Sequence, residues 1–295
     1  MKITFAKEIL LKAINALSKV SQNKTSSNVP GAIYITTKNN KVEMQANDFE
    51  IGIRITVDAT IEEEGTILVA MRYFQEWVRR TQSAEITLIC EEGTHQLSMI
   101  SESSQVNLIT MPTDNFTLVE QIHDENHIDM DSDQLKNLID LTNYAAATEE
   151  DRPIFTGALL EGGEMTLTMV STDTHRMAVK KINLPDQVTE GLRIVIPTKT
   201  LAEVSRLLPT DNPAMVRIVW NRTQVVFIFD TIYLISRLIE GNYPEYEKVI
   251  PSQFDSSAIL NRRDFAGARD DADARTLVEE LERVSPEFKD WWRRQ

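Results

Sequence analysis

GALLEGGEMTLTMVSTDTHRMAVKKI, residues 157–182, and GAIYITTKNNKVEMQANDFEIGIRI, residues 31–55, follow one pattern. In each, a strand starts at a glycine (Gly31, Gly157) and gives way to a polar or glycine-bearing turn. It returns as a second strand that ends at an aspartate (Asp48, Asp173), and a third strand follows at once. Alternation of apolar and polar positions predicts strands with one buried face, and turn residues at matching places predict matching hairpins.

Working outward, the same order of elements recurs around both stretches. FAKEILLKAINALSKV (5–20) precedes the first, with Ile9, Leu10, Ala13, Ile14 and Leu17 on one helical face. DSDQLKNLIDLTNYAA (131–146) precedes the second, with Leu135, Leu138, Ile139 and Thr142 likewise. Asp131, followed three positions on by Gln134, reads as a capping box. A strand-and-helix pair comes next, TILVAMRYFQEWVRR (66–80) or RIVIPTKTLAEVSRLL (193–208). Each copy closes on three alternating runs: EITLIC, QLSMIS and QVNLITMP in the first, MVRIVW, QVVFIF and YLISRLI in the second. The expected fold class is α+β, two copies of one unit, each with two helices laid on one face of a mostly antiparallel sheet. The expected domains are residues 1–125 and 126–250, with 251–295 standing apart.

Opposite its core stripe, the first helix shows Lys12, Asn15 and Lys19. The helix after TILVA turns Phe74, Trp77 and Val78 inward and Arg72, Arg79 and Arg80 outward. In the second copy Lys136, Lys199 and Arg206 take exposed positions. Acidic residues crowd TIEEEG (60–65) and ATEED (147–151), which read as loops. A single basic helix face is an ordinary solvated surface; recurrence on all four helices predicts a basic concave surface inside an acidic body. The chain carries 31 Lys and Arg against 45 Asp and Glu, a net charge of −14. That balance alone argues against wrapping a polyanion, but a ligand feels the local arrangement of charge.

STDTHRMAV (171–179) sets Asp173, His175 and Arg176 close together, in the manner of catalytic machinery. Read as a strand, it points Asp173 and His175 to one face and Arg176 to the other, so no nucleophile, base and orienter converge. The sequence holds no glycine-rich phosphate loop, nucleophile elbow or metal-ligand spacing, and neither an enzyme nor a cofactor is expected. His123, Asp124, His127 and Asp129 fall in the acidic connector QIHDENHIDMD (121–131) and read as linker, not metal ligands. The single cysteine, Cys90, is expected as a buried thiol in a reduced compartment. The opening MKITFAKEILLKAINAL lacks a secretory apolar core, and no stretch approaches the roughly 20 apolar residues of a membrane helix. The expected location is the cytoplasm.

The chain resembles the sliding clamp of bacterial replication, the beta subunit of the DNA polymerase III holoenzyme. The resemblance rests on MKITF with its helix, NDFEIGI, DRPIFTGALLE, STDTHRMAV, IVIPTKTLAEVSRLL and IEGNYPEYEKVIP, in the family's order over residues 1 to about 258. STDTHRMAV and EGNYPEYEKVIP are its most specific parts. It implies a ring of repeated α+β units with helices lining a central hole and sheets forming the outer wall. Such a ring encircles duplex DNA without reading sequence and tethers the polymerase as a processivity factor. The resemblance further implies that STDTHRMAV lines an outer pocket for a short linear motif of the polymerase, the clamp loader and other replication or repair proteins. By position, that pocket comprises Phe155, Thr172, Thr174, His175, Arg176, Met177, Pro244, Lys248 and Val249. Met177, Phe155, Pro244 and Val249 form an adaptable apolar floor, and Arg176 and His175 a polar rim. Lys24 and Lys199 match DNA-facing positions of the family; Lys12, Arg72, Arg79, Arg80, Lys136 and Arg206 join them from helix-face placement. Val106 and Leu108, on the last strand of the first copy, match half of the ring interface.

A protomer of that family has three units, and this sequence shows two. From Asn261 on, NRRDFAGARDDADARTLVEELERVSPEFKDWWRRQ favours Arg over Lys, and Ala and Asp over Asn and Ile. Within it, LVEELERVSPEFKDWW (277–292) resembles the end of the ligand-binding domain in MmyB-like transcription regulators. Leu277, Val278, Leu281 and Val284 form a helical stripe, Ser285 caps, and Pro286 starts a second helix. The expectation is a truncated clamp joined to a foreign helical tail, which does not close the family's homodimer ring. The alternatives are a nonfunctional or regulatory fragment, and a transcription-regulator-like protein, for which no helix-turn-helix candidate exists.

Overall fold

The structure, a computed structural model, describes residues 1–21, 31–122, 126–149, 151–184, 191–210 and 212–251. The first repeat runs β1 (Lys2–Ala6), α1 (Lys7–Ser21), β2 (Ala32–Lys38), β3 (Lys41–Asn47), β4 (Ile51–Val57), β5 (Thr60–Glu63), β6 (Thr66–Ala70), α2 (Met71–Arg80), β7 (Glu85–Ile89), β8 (Gln96–Ile100) and β9 (Gln105–Met111). The second runs β10 (His127–Asp131), α3 (Ser132–Asp140), β11 (Gly157–Gly162), β12 (Thr166–Thr172), β13 (Met177–Asn183), β14 (Arg193–Pro197), α4 (Thr198–Leu207), β15 (Met215–Trp220), β16 (Gln224–Phe229) and β17 (Ile232–Arg237). The two match element for element, except that β5 has no counterpart among the described residues. The α+β reading with two copies of one unit stands.

Local chemistry explains the hairpins. Asn39 and Asn40, at φ 51° and 59°, close β2 onto β3; asparagine tolerates the left-handed region that a two-residue hairpin turn requires. All described strand pairs are antiparallel. In the first repeat the order β5-β1-β7-β8-β9 continues through β6, β2, β3 and β4. In the second, β10-β15-β16-β17 and β13-β12-β11-β14 are separate ladders. Where β6 pairs with β9, the corresponding place in the second repeat has a single bond, from Ile239 N–H to the Val195 carbonyl at 2.9 Å.

The repeats are welded at β17, which pairs with β4 from Ile232↔Ile55 to Ser236↔Ile51, so thirteen strands run in one sheet. Met1–Tyr243 is accordingly one compact unit, and Pro244–Gln295 is a second, described over residues 244–251. The outer edges of β5, β10, β13 and β14, and that of β9 over residues 105–109 on the side facing away from β8, pair with no strand among the described residues.

The helices supply the other half of the core. Leu10, Ala13, Ile14 and Leu17 of α1, Met71, Phe74 and Val78 of α2, Leu135, Leu138 and Ile139 of α3, and Leu201 and Val204 of α4 are buried together with the inner faces of the strands. Helix α1 packs on α2, and α3 on α4. The Arg206 guanidinium donates to the Ala16 carbonyl at 3.4 Å, so α4 adjoins α1. The helices therefore form a single row, α2, α1, α4, α3, rather than scattering over different sides.

Four expectations need correction. Ile9, in the first turn of α1 and at the border of its stripe, is 45% exposed and lies outside the core. Asp131 makes no capping bond; Ser132 instead ties the start of α3 to Ala214, its N–H donating to the carbonyl at 2.9 Å and its Oγ accepting from the N–H at 3.0 Å. TIEEEG is not all loop, because its first four residues form β5 at the edge beside β1, with Lys2 on Glu62 at 2.7 Å. Cys90 is half-buried rather than buried.

Candidate functional site

Residues 173–176 are a tight turn joining β12 to β13, not strand, which overturns the assignment of opposite faces to Asp173 and Arg176. Asp173 Oδ1 accepts the backbone N–H groups of His175 (3.0 Å) and Arg176 (2.9 Å), and Oδ2 takes the Arg176 Nε at 2.9 Å. A short carboxylate that bonds the backbone two and three residues on is what nucleates such turns. Thr172 Oγ1 donates to the Arg176 carbonyl at 2.7 Å and accepts from Thr174 N–H at 3.1 Å, holding Thr174 at φ 79°. Asp173 is therefore spent on architecture, and His175 is left exposed at the turn's tip with Arg176. No acid–base pair forms.

The backbone N–H of Arg176, followed by that of His175 and the guanidinium, holds the Asp173 carboxyl below its ordinary pKa of 3.8. A depressed carboxylate stabilises the fold above its unfolded pKa and loses that contribution as pH falls through the folded one. Lowering the pH from 7 to below about 4 is thus expected to loosen the turn. The thermal midpoint of wild type should drop slightly further over that range than that of Asp173→Asn, whose amide has no charge to lose; superimposable pH profiles refute this role.

Around the turn, Met177 and Phe155 are half-buried. Phe155 meets Tyr243 edge-on at 6.2 Å between ring centres, and the Tyr243 hydroxyl donates to the Val170 carbonyl at 3.3 Å. Burial pushes the Tyr243 phenol up to about 12, so it stays a neutral donor. In the second unit, residues Tyr246–Val249 form a 3-10 turn in which Val249 is exposed and Lys248 pairs with Glu245; Pro244 just precedes that turn.

The helix row carries cations, though fewer act alone than their spacing implied. Arg79 and Arg80 share Glu76, and Arg206 holds Glu203 at 2.8 Å while reaching Ala16. Lys136 is partly buried, its Nζ donating to the Ser205 carbonyl at 2.8 Å and approaching Asp140 at 3.9 Å, so it braces α3 against α4. Lys12, Arg72 and Lys199 are exposed and make no ion pair among the described residues. Lys24 lies outside the described residues, as do His123, Asp124 and the tail from 252 on.

Two domain descriptions of one family match in tandem: the N-terminal domain of the DNA polymerase III beta subunit over residues 1–120, and its central domain over residues 129–245. The beta sliding clamp of Bacillus subtilis (strain 168) is 31% identical over 281 residues, covering 92% of this chain and 74% of that protein. The chain belongs to the bacterial beta sliding clamp family. The clamp of Staphylococcus aureus (strain MW2) is 29% identical over 282 residues at the same coverage. The crystal structure of the Bacillus subtilis clamp superposes with a TM-score of 0.86 at 30% identity, over 91% of this chain and 72% of that one. A Pseudomonas aeruginosa clamp, solved bound to griselimycin, gives 0.81 at 26% identity over 86% and 69%. These relatives are sliding clamps, and the present chain is a DNA sliding clamp of that family.

Within this clamp, Val106 and Leu108 of β9 turn toward the core opposite Met99 and Leu97, whereas Ile109, which sequence pattern did not single out, is 81% exposed beside the open edge. Asp129 of β10 grips Arg217 of β15 through two bonds, Nε to Oδ1 at 2.8 Å and Nη2 to Oδ2 at 2.7 Å. It is thus a cross-strand ion-pair partner, and no metal cluster occurs among the described residues. No described helix is long and apolar enough to cross a membrane.

Proposed function

We propose that this clamp turns its helix row toward duplex DNA and tethers the replicative polymerase, the clamp loader and other motif-bearing proteins at the 172–177 turn. Lys12, Arg72 and Lys199 then face the phosphates, with Lys24, Arg79, Arg80, Lys136 and Arg206 as supporting charge. A sliding contact needs a mildly positive surface rather than a tightly bound one, and the guanidiniums already engaged with Glu76 and Glu203 moderate the field. The docking residues of the first unit are Phe155, Thr172, Thr174, His175, Arg176 and Met177; Pro244, Lys248 and Val249, which the resemblance also names, lie in the second unit. The edge of β9 that carries Val106 and Leu108 is half of the family's ring interface, whose homodimer ring this chain does not close by itself, and the protein works in the cytoplasm. The observation that carries the reading is the row of four helices with cations exposed along it in a chain that matches clamps over 92% of its length. The griselimycin-bound relative supports a ligand-accepting surface in the family.

The test is a titration of the full chain with a fluorescent peptide containing glutamine, leucine and phenylalanine. Met177→Asp places a carboxylate in the apolar floor, and affinity should fall at least about tenfold, roughly 1.4 kcal/mol. Unchanged affinity, or turnover of a nucleotide or ester that depends on His175, overturns the reading.

A further inference from the structure

The turn at 172–177 has a twin in the first repeat. Asp48 Oδ1 accepts the N–H groups of Glu50 (3.0 Å) and Ile51 (2.7 Å), as Asp173 does for His175 and Arg176. Asn47 Oδ1 accepts from Phe49 N–H at 2.7 Å, in the role of Thr172, and Phe49 sits at φ 73° where Thr174 sits at 79°. Geometry is repeated; chemistry is not. The second turn shows His175 and Arg176 to solvent, whereas the first shows Phe49 and Glu50.

A shallow cavity of about 130 Å³, open to solvent, lies against this first turn, at the seam where β17 joins β4. Phe49, Leu118, Val119 and Ile235 supply its apolar surface. Phe49 and Leu118 are each 51% exposed, while Val119 and Ile235 are buried beneath. Glu50, Glu120 and Arg237, all exposed, stand around it, leaving one carboxylate in excess. The wall is fixed before any ligand arrives. Phe116 stacks on Tyr34 at 5.2 Å, Asn47 Nδ2 donates to the Thr117 carbonyl at 3.1 Å, Val119 N–H donates to Gln45 Oε1 at 2.8 Å, and Ile122 N–H to the Tyr233 hydroxyl at 2.9 Å. Gly52 forms part of the floor, since a side chain there would stand 3.0 Å from both Val119 and Ile235.

Phe49 is the residue that folding does not explain. A bulky side chain in the left-handed region is strained, and glycine or asparagine would make the turn more cheaply. The ring gains little burial in return. Strained, exposed apolar residues beside a preformed cavity mark binding sites.

We infer that this cavity is a second peptide-docking groove, which takes an extended segment bearing a leucine or phenylalanine anchor flanked by lysine or arginine. The anchor packs between Phe49 and Leu118, and the basic residue meets Glu50 and Glu120. The groove stands on its own geometry and goes beyond the docking site at 172–177.

The probe is a fluorescein-labelled peptide, Arg-Lys-Leu-Phe-Leu, against a matched Glu-Glu-Leu-Phe-Leu, titrated into the full chain. The basic peptide is expected to bind, and the acidic one at least tenfold more weakly. Phe49→Gly relieves the backbone while deleting the ring, so its melting temperature should hold or rise as affinity for the basic peptide falls about tenfold. Leu118→Asp should leave affinity equally reduced, and Met177→Asp should leave it intact. No binding of the basic peptide to wild type, no preference over the acidic peptide, or loss on Met177→Asp with none on Phe49→Gly and Leu118→Asp, overturns the groove. A Met177→Asp loss confined to the glutamine-containing peptide separates the fate of the 172–177 site from that of this one.

Discussion

Leu234→Asp is expected to abolish the folded state of this clamp at 37 °C, because it places a carboxylate in the seam that joins the repeats. Leu234 is fully buried, paired across strands with Ile53 on one side and Phe227 on the other. Removing a buried leucine side chain costs about 2–5 kcal/mol, and a buried charge with no partner adds several more. Total stability of a domain is only about 5–15 kcal/mol, so little remains. Leu234→Ala serves as the graded control, with an expected loss of about 3 kcal/mol. Urea titration followed by tryptophan fluorescence, in a chain with Trp291 and Trp292 replaced by Phe, reads both repeats, since Trp77 lies on α2 and Trp220 on β15. Wild type should show one transition for both tryptophans if the thirteen-strand sheet is one cooperative body. A Leu234→Asp midpoint within about 1 kcal/mol of wild type refutes the seam as the structural keystone.

The repeat was legible because its signals are local. Glycines at 31 and 157, aspartates at 48 and 173, and apolar periods of helices and strands each depend on a few neighbouring residues, and they placed every described α-helix and strand but β1, β5 and β10, the last lying in what reads as a linker. What the sequence concealed is non-local or conformational. Alternation in STDTHRMAV reads as strand, whereas the Asp173 carboxylate bonding His175 and Arg176 converts it to a turn. Helix-face spacing exposed Lys136 and Arg206 correctly as to side, but not the Ser205 and Ala16 carbonyls that claim them. Pairing of β17 with β4 joins residues far apart in sequence, so neither the seam nor the cavity against Phe49 leaves a mark in any short window. The one available hint was Phe49 itself, an aromatic residue at the position where the second repeat uses threonine.

Gly157→Ala is expected to destabilise the clamp by about 2–3 kcal/mol, the cost of overpacking a filled interior, and to weaken peptide capture at the same time. Its backbone conformation is ordinary, so the requirement is space. A Cβ at residue 157 would lie 2.6 Å from Val195 Cγ1, 2.7 Å from Ile239 Cδ1 and 3.0 Å from the Ile196 carbonyl. The two side chains can swing only by loosening β14 against β11, and the carbonyl belongs to the ladder itself. Ile239 is held by its N–H bond to Val195 and leads directly into Gly241 and Tyr243, the latter packed on Phe155. Strain at Gly157 therefore propagates along residues 239–243 to the aromatic wall beside the 172–177 turn. Calorimetry should show the lower melting temperature, and peptide titration a severalfold weaker complex. Ile239→Ala in the same chain removes the 2.7 Å clash and should recover part of both losses. If Gly157→Ala is silent, or if Ile239→Ala worsens it additively, the close approach of these strands does not position the docking turn.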